Sequence, residues 1–257
     1  MVGQKFSVSL TRFSVALSLG FAVSAGMLSP AIAQSSPATP AQSTSSRGSV
    51  SVTFEPPKDS KPDSTVGGAS RGEPCPQEVS SARGCLTPLM PQSKDGLTVS
   101  ERPTFLVYIP PNSANEIFFR LVGESNNYRY QTKIPVTSAG GIVSIKLPES
   151  EPALEVGKNY KWTLIATGAE GIRPDSPGVQ GDIRRIEPSP ELQTQLEKVT
   201  PLERAALYGK AGIWFDTVGT LAELKRAQPG DATLIDAWKQ LLGSVGLEAV
   251  AATPLLP

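Results

Sequence analysis

The residues best suited to chemistry are few. Cys75 and Cys85, the only cysteines, stand ten positions apart in PCPQEVSSARGC, and histidine is absent altogether. Without imidazole the chain has no Ser-His-Asp or Cys-His catalysis, no histidine zinc site and no ordinary pH switch. Two thiolates fall short of a four-ligand zinc site, and the spacing is far from the C-x-x-C of thiol oxidoreductases. In an exported chain the pair reads as a structural disulfide, closing a loop worth about 2–3 kcal/mol. A reactive thiol and a reduced, inert pair are the alternatives. Carboxylates offer the other route: Asp216 follows Trp214-Phe215, and Glu223 lies one helical face onward. Two acids about 5–9 Å apart hydrolyse glycosides without histidine. Yet Asp216 falls in the first turn of an expected helix, where the dipole favours an acid in any case.

Other polar groups gather at strand ends. Glu101-Arg102 precede one strand and Asp182, Arg184 and Arg185 lie on the last. They form an Arg-carboxylate cluster if the first and seventh strands flank one edge, or a solvated face with surface ion pairs. Trp162, Trp214 and Trp238 all fall on apolar stripes, which favours core packing over a sugar-stacking platform. GGASRG, from Gly67 to Gly72, lacks the Gly-Lys-Ser/Thr ending of a phosphate loop. Arg102, Arg184, Trp214 and Asp216 are therefore the candidate interaction or ligand residues. No catalytic set, metal site or cofactor is assigned.

The elements that hold these residues begin with a leader. Lys5 and Arg12 precede an apolar run from Phe13 to Leu28, and Ala31-Ile32-Ala33 gives the small-x-small pattern of signal peptidase. Residues 1–33 are expected to be a cleaved secretory signal, which places the mature chain in the periplasm or outside the cell. Removing it leaves 22 basic against 24 acidic residues, a balance that disfavours nucleic acid or an anionic membrane as partner. No later stretch is long and apolar enough to span a bilayer.

Residues 34–84 are rich in Ser, Thr, Pro and Gly and read as a disordered linker. VSVTFEPP interrupts it, with Val50, Val52 and Phe54 alternating as in a short strand or a docking segment. From LTPLMP onward, seven short β segments follow: PTFLVYIP, NEIFFRLVG, NYRYQTKIP, GIVSIKLP, NYKWTLIAT and VQGDIRRIEP complete the set. No helical period separates them, so residues 85–188 are expected to form an antiparallel immunoglobulin- or fibronectin-III-like sandwich in an α+β chain. Within LEVGKNYKW, Gly157 and Tyr160 stand in the order of a tyrosine corner, where a Tyr hydroxyl returns to the backbone of the preceding arch.

Residues 189–257 turn helical. Leu192, Leu196 and Val199 are spaced four and three apart, and TPLE supplies an N-cap, a first-turn proline and a capping-box glutamate. A second helix carries Val218, Leu221 and Leu224 and stops before Pro229-Gly230. A third, from about Ala232 to Leu242, shows Leu234, Trp238, Leu241 and Leu242 on one face. Tyr208, Gly212, Trp214 and Pro229 match the spacing of a single tetratricopeptide-type hairpin, although Thr217 replaces the expected small residue.

GGASRG with the following cysteines, LTPLMP, ERPTFLVYIP, LEVGKNYKW, GDIRRIE and RAALYGKAGIWFDTVGTLAEL together carry a wider resemblance. From Val50 onward the chain resembles a cyanobacterial exported family catalogued as domain of unknown function 928. That resemblance implies location and architecture and no activity, ligand or catalytic residue. The function expected is an exported, non-catalytic binding or assembly module acting on other envelope or secreted proteins. A lectin-like carbohydrate binder and a carboxylate-based polysaccharide hydrolase are the alternatives, and the oligomeric state is left open.

Overall fold

The computed structural model describes residues 50–57, 84–111, 115–125, 127–168 and 171–256. The expected signal and most of the expected linker lie outside them, as does Cys75. Eight strands are present: β1 (Thr87–Pro88), β2 (Asp95–Thr98), β3 (Thr104–Ile109), β4 (Glu116–Gly123), β5 (Arg129–Pro135), β6 (Gly141–Lys146), β7 (Asn159–Thr167) and β8 (Gly178–Arg185). Four helices follow, α1 (Pro190–Leu196), α2 (Pro201–Lys210), α3 (Trp214–Ala227) and α4 (Ala232–Gly243), then a 3-10 turn at Glu248–Val250. The mixed α+β class stands, with one strand more than the seven expected.

Strand alternation builds the sheets. In β4, Ile117, Phe119 and Leu121 are fully buried while Glu116, Phe118 and Arg120 lie half-exposed. In β7, Tyr160, Trp162, Leu164 and Ala166 point inward. One sheet has the order β1-β3-β6 and the other β2-β8-β7-β4-β5. Every pairing is antiparallel except β2 with β8, which runs parallel from Asp95 opposite Asp182 to Thr98 opposite Arg185. The additional strand is this β2. It is four residues long, and its Asp-Gly start reads as a turn.

Phe105 of β3 sits where the layers meet. Its ring lies 5.0 Å from Phe119, 5.8 Å from Trp162 and 5.4 Å from Phe215 of α3. A single side chain thus touches both sheets and the helical region. Phe215 also presses on β2, where a Cβ at Gly96 would stand 2.6 Å from its ring. The outer edge of β6 is closed by the C-terminal tail: Ile142 N–H donates to the Pro254 carbonyl at 2.9 Å, and Leu256 N–H to that of Ile142 at 2.8 Å.

Helix ends follow the sequence. Thr200 and Glu203 form the capping box of α2, and Gly212, at φ +73°, terminates it. Asp231 caps α4 through the N–H groups of Thr233 and Leu234.

The Cys75–Cys85 expectation is one that the described residues do not carry: Cys75 lies outside them, so no pair of sulfurs at disulfide distance stands among them. Cys85 itself is not a free thiol, and its carbonyl accepts the Thr87 hydroxyl at 2.9 Å.

Truncating Phe105 empties a fully packed three-way contact. Phe105→Ala is expected to cost about 3–5 kcal/mol in urea unfolding. A loss below about 1 kcal/mol would show that sheets and helices do not share one core.

Candidate functional site

The helices do not meet solvent along all of their apolar surface. Residues 50–57 cross α2, α3 and α4 as an extended strap and pair with no strand. Period-two alternation turns Val52 and Phe54 inward, with exposures of 0% and 9%, while Ser51, Thr53 and Glu55 face out. The Phe54 ring meets Trp214 edge-on, with centroids 5.1 Å apart. Main-chain bonds fix the register. Glu55 N–H donates to the Gly209 carbonyl at 3.0 Å, and Phe54 N–H to Ser244 Oγ at 3.1 Å. The Ser51 hydroxyl bonds Gln240 Oε1 at 3.0 Å.

Glycine at 209 makes the approach possible. A Cβ there would lie 2.3 Å from the Thr53 carbonyl oxygen. Pro57 closes the far end, so near Gly212 that a Cβ on it would meet Pro57 Cγ at 2.8 Å.

Trp214 and Asp216 anchor this floor. Trp214 is fully buried and donates its Nε1–H to the Leu89 carbonyl at 2.9 Å. Asp216 Oδ2 accepts the Thr98 hydroxyl at 2.8 Å and Val99 N–H at 3.0 Å, tying the start of α3 to the end of β2. Burial pushes its carboxyl above the usual range, against those hydrogen bonds. Glu223 instead lies exposed and pairs with Lys146 at 3.5 Å. One acid is partly buried at the joint of β2 and α3 and spends its carboxylate on Thr98 and Val99, while the other lies in solvent paired with Lys146. Trp162 and Trp238 are buried with Trp214, and none of the three offers a stacking face.

Two arginines are also spoken for. Arg102 reaches the carbonyls of Glu151 at 2.8 Å and Glu149 at 3.2 Å. Arg185 bonds the Leu154 carbonyl and pairs with Glu101 at 3.1 Å. Both brace the arch before β7, whereas Arg184 is exposed. At that arch Glu155 N–H donates to the Tyr160 hydroxyl at 2.8 Å. Gly157, at φ +78°, donates its N–H to the Arg185 carbonyl at 2.7 Å.

A depression of about 470 Å³ lies on the outer face of the five-stranded sheet, lined by Arg120, Glu124, Asn159, Lys161, Thr163 and Asp182. Its charges balance: Lys161 stands 3.8 Å from Asp182, and Asn159 donates to Glu124 at 3.0 Å. Among the described residues no cluster of three ligating side chains can hold a metal. No helix there is long and apolar enough to cross a membrane.

Gly209, Gln240 and Ser244, which receive the strap, escaped the sequence reading. The signal for Gly209 was a glycine inside a well-capped helix, which points to a close backbone approach. Eight strands, four C-terminal helices and a seated extended segment define a mixed α+β architecture among the described residues. A family model described as Domain of Unknown Function (DUF928) matches residues 66–255, and the chain belongs to that family. No curated protein matches it.

Asp216 gives a pH test. The folded chain holds this proton more tightly than the unfolded one, so the stability it contributes is complete below the ordinary carboxylate range. It is lost as pH rises through the elevated value. Asp216→Asn keeps an acceptor for Thr98 and Val99, and is expected to remove this fall in stability. Asp216→Ala leaves both donors unpaired and is expected to cost about 2 kcal/mol or more at every pH. Thermal melts of both variants across pH 4–8 provide the measurement.

Proposed function

We propose that the chain is an exported, non-catalytic module that binds or assembles with other envelope or secreted proteins through its helical region. The observation that carries this reading is the seating of an extended segment on α2–α4 by main-chain hydrogen bonds and two apolar side chains. Such a mode serves peptide recognition generally. Among the described residues the large exposed apolar side chains are Val156 and Ile172, neither on a helix. The binding surface is therefore the one the strap fills, and not a bare patch.

The same proposal takes residues 1–33 as signal, 34–84 as tether, 85–188 as sandwich and 189–257 as the helical part. The basic leader supports export, to the periplasm or beyond. The Tyr160–Glu155 bond and the two-sheet order support an immunoglobulin- or fibronectin-III-like sandwich with a tyrosine corner. Packing of α2 on α3, with Gly212 at the turn, supports a tetratricopeptide-type hairpin.

Crosslinking the exported chain in its own envelope, with adducts mapped by mass spectrometry, tests the reading. Discrete adducts within residues 50–57 or 189–257 are expected. No adduct would overturn it, as would turnover or retention on a glycan panel.

A further inference from the structure

We infer that the groove on α2–α4 is an exchangeable socket, and that its occupant in trans is the Val50–Pro57 strap of a second copy of this chain. This rests on the protein-binding reading above and names its partner.

Three observations lead there. First, Gly209 serves the occupant and not the body. Apart from Thr53 of the strap, the nearest atom to a Cβ at 209 is Thr217 Cγ2 at 3.4 Å, an ordinary contact. Alanine would suit the interior of α2 better than glycine does, yet it would collide with the strap carbonyl. Second, the family match spans 66–255, so the socket lies inside the matched body and the strap lies outside it. Third, the strap is held by its backbone and by side chains two apart, none of which depends on which chain supplies it.

The strap is the one ligand whose fit is seen. A second copy presents the same segment, and each contact can be reproduced across two molecules. Residues 58–83 separate Pro57 from Gly84. On the proposed reading of 34–84 as a tether, a stretch of that length sets an effective concentration on the order of millimolar, so a dilute chain closes on itself. Exchange takes over where copies are crowded or where the strap in cis is displaced.

Two variants of the mature chain separate the halves of the contact. Val52→Ser/Phe54→Ser retains the socket and loses the strap; Gly209→Ala retains the strap and blocks the socket. Each alone, and the wild type, is expected to sediment as a monomer at micromolar concentration. Their equimolar mixture is expected to sediment as a dimer. A labelled peptide of residues 50–57 is expected to bind the strap variant at least about ten-fold more tightly than wild type, and not to bind Gly209→Ala.

A mixture that stays monomeric while both variants are folded overturns exchange. If the peptide still binds, the socket recognises extended segments and only the second copy is excluded as partner. A dimeric mixture with no envelope adduct would instead retire the wider binding reading and keep exchange. Should the strap variant unfold, excess peptide on wild type gives the same decision. The anisotropy of the labelled peptide is then expected to rise to saturation with wild type and not with Gly209→Ala, and no rise with either overturns the proposal.

Discussion

The two sheets and α3 are arranged around one aromatic contact. Phe105 leaves the middle strand of the smaller sheet and meets Phe119 and Trp162 of the larger one and Phe215 of α3. Aromatic rings bury large areas and tolerate few alternative geometries, so a four-ring junction fixes three elements at once. Because α3 is placed by that junction, so is Trp214, and with it the surface against which Phe54 packs. Strap, helices and sheets are consequently coupled through consecutive residues of one helix turn. Asp216 adds the polar half of the joint by satisfying Thr98 and Val99 at the end of β2.

The same arrangement explains why the residues that looked reactive are not in a cleft. Tryptophans and a carboxylate close together in sequence suggest a glycan site. Here Trp214, Phe215 and Asp216 are neighbours because a helix start is being built into a core, which needs bulk on one side and a hydrogen-bond acceptor on the other. The arginines near β7 do comparable work. Their guanidinium groups collect backbone carbonyls that a turning arch leaves without partners.

Much of the fold was legible because strand and helix periods are local. Alternation in β4, β6 and β7 and the capping box before α2 are written within a few residues, and the structure follows them. What was hidden is non-local. Strand β2 has four residues, and its parallel partner lies some 87 positions away, from Asp95 to Asp182. VSVTFEPP could be read as a strand or a docking segment, and its inward side was visible in the alternation. Its receiver was not, because Gly209, Gln240 and Ser244 come together only once α2 and α4 are each packed on α3. Gly209 was the one local hint.

The edges of the two sheets are guarded by unlike means. Along β6 the C-terminal residues take up the backbone groups of Ile142, so that edge is closed by the chain itself. Along β5 the protection is chemical: Arg129 and Lys133 project outward and Pro135 ends the strand without a donor. Charge can be screened and a covering tail cannot. Rising salt therefore weakens the guard along β5 and leaves the one along β6, which makes the seven-residue margin of β5 the more salt-sensitive of these two edges.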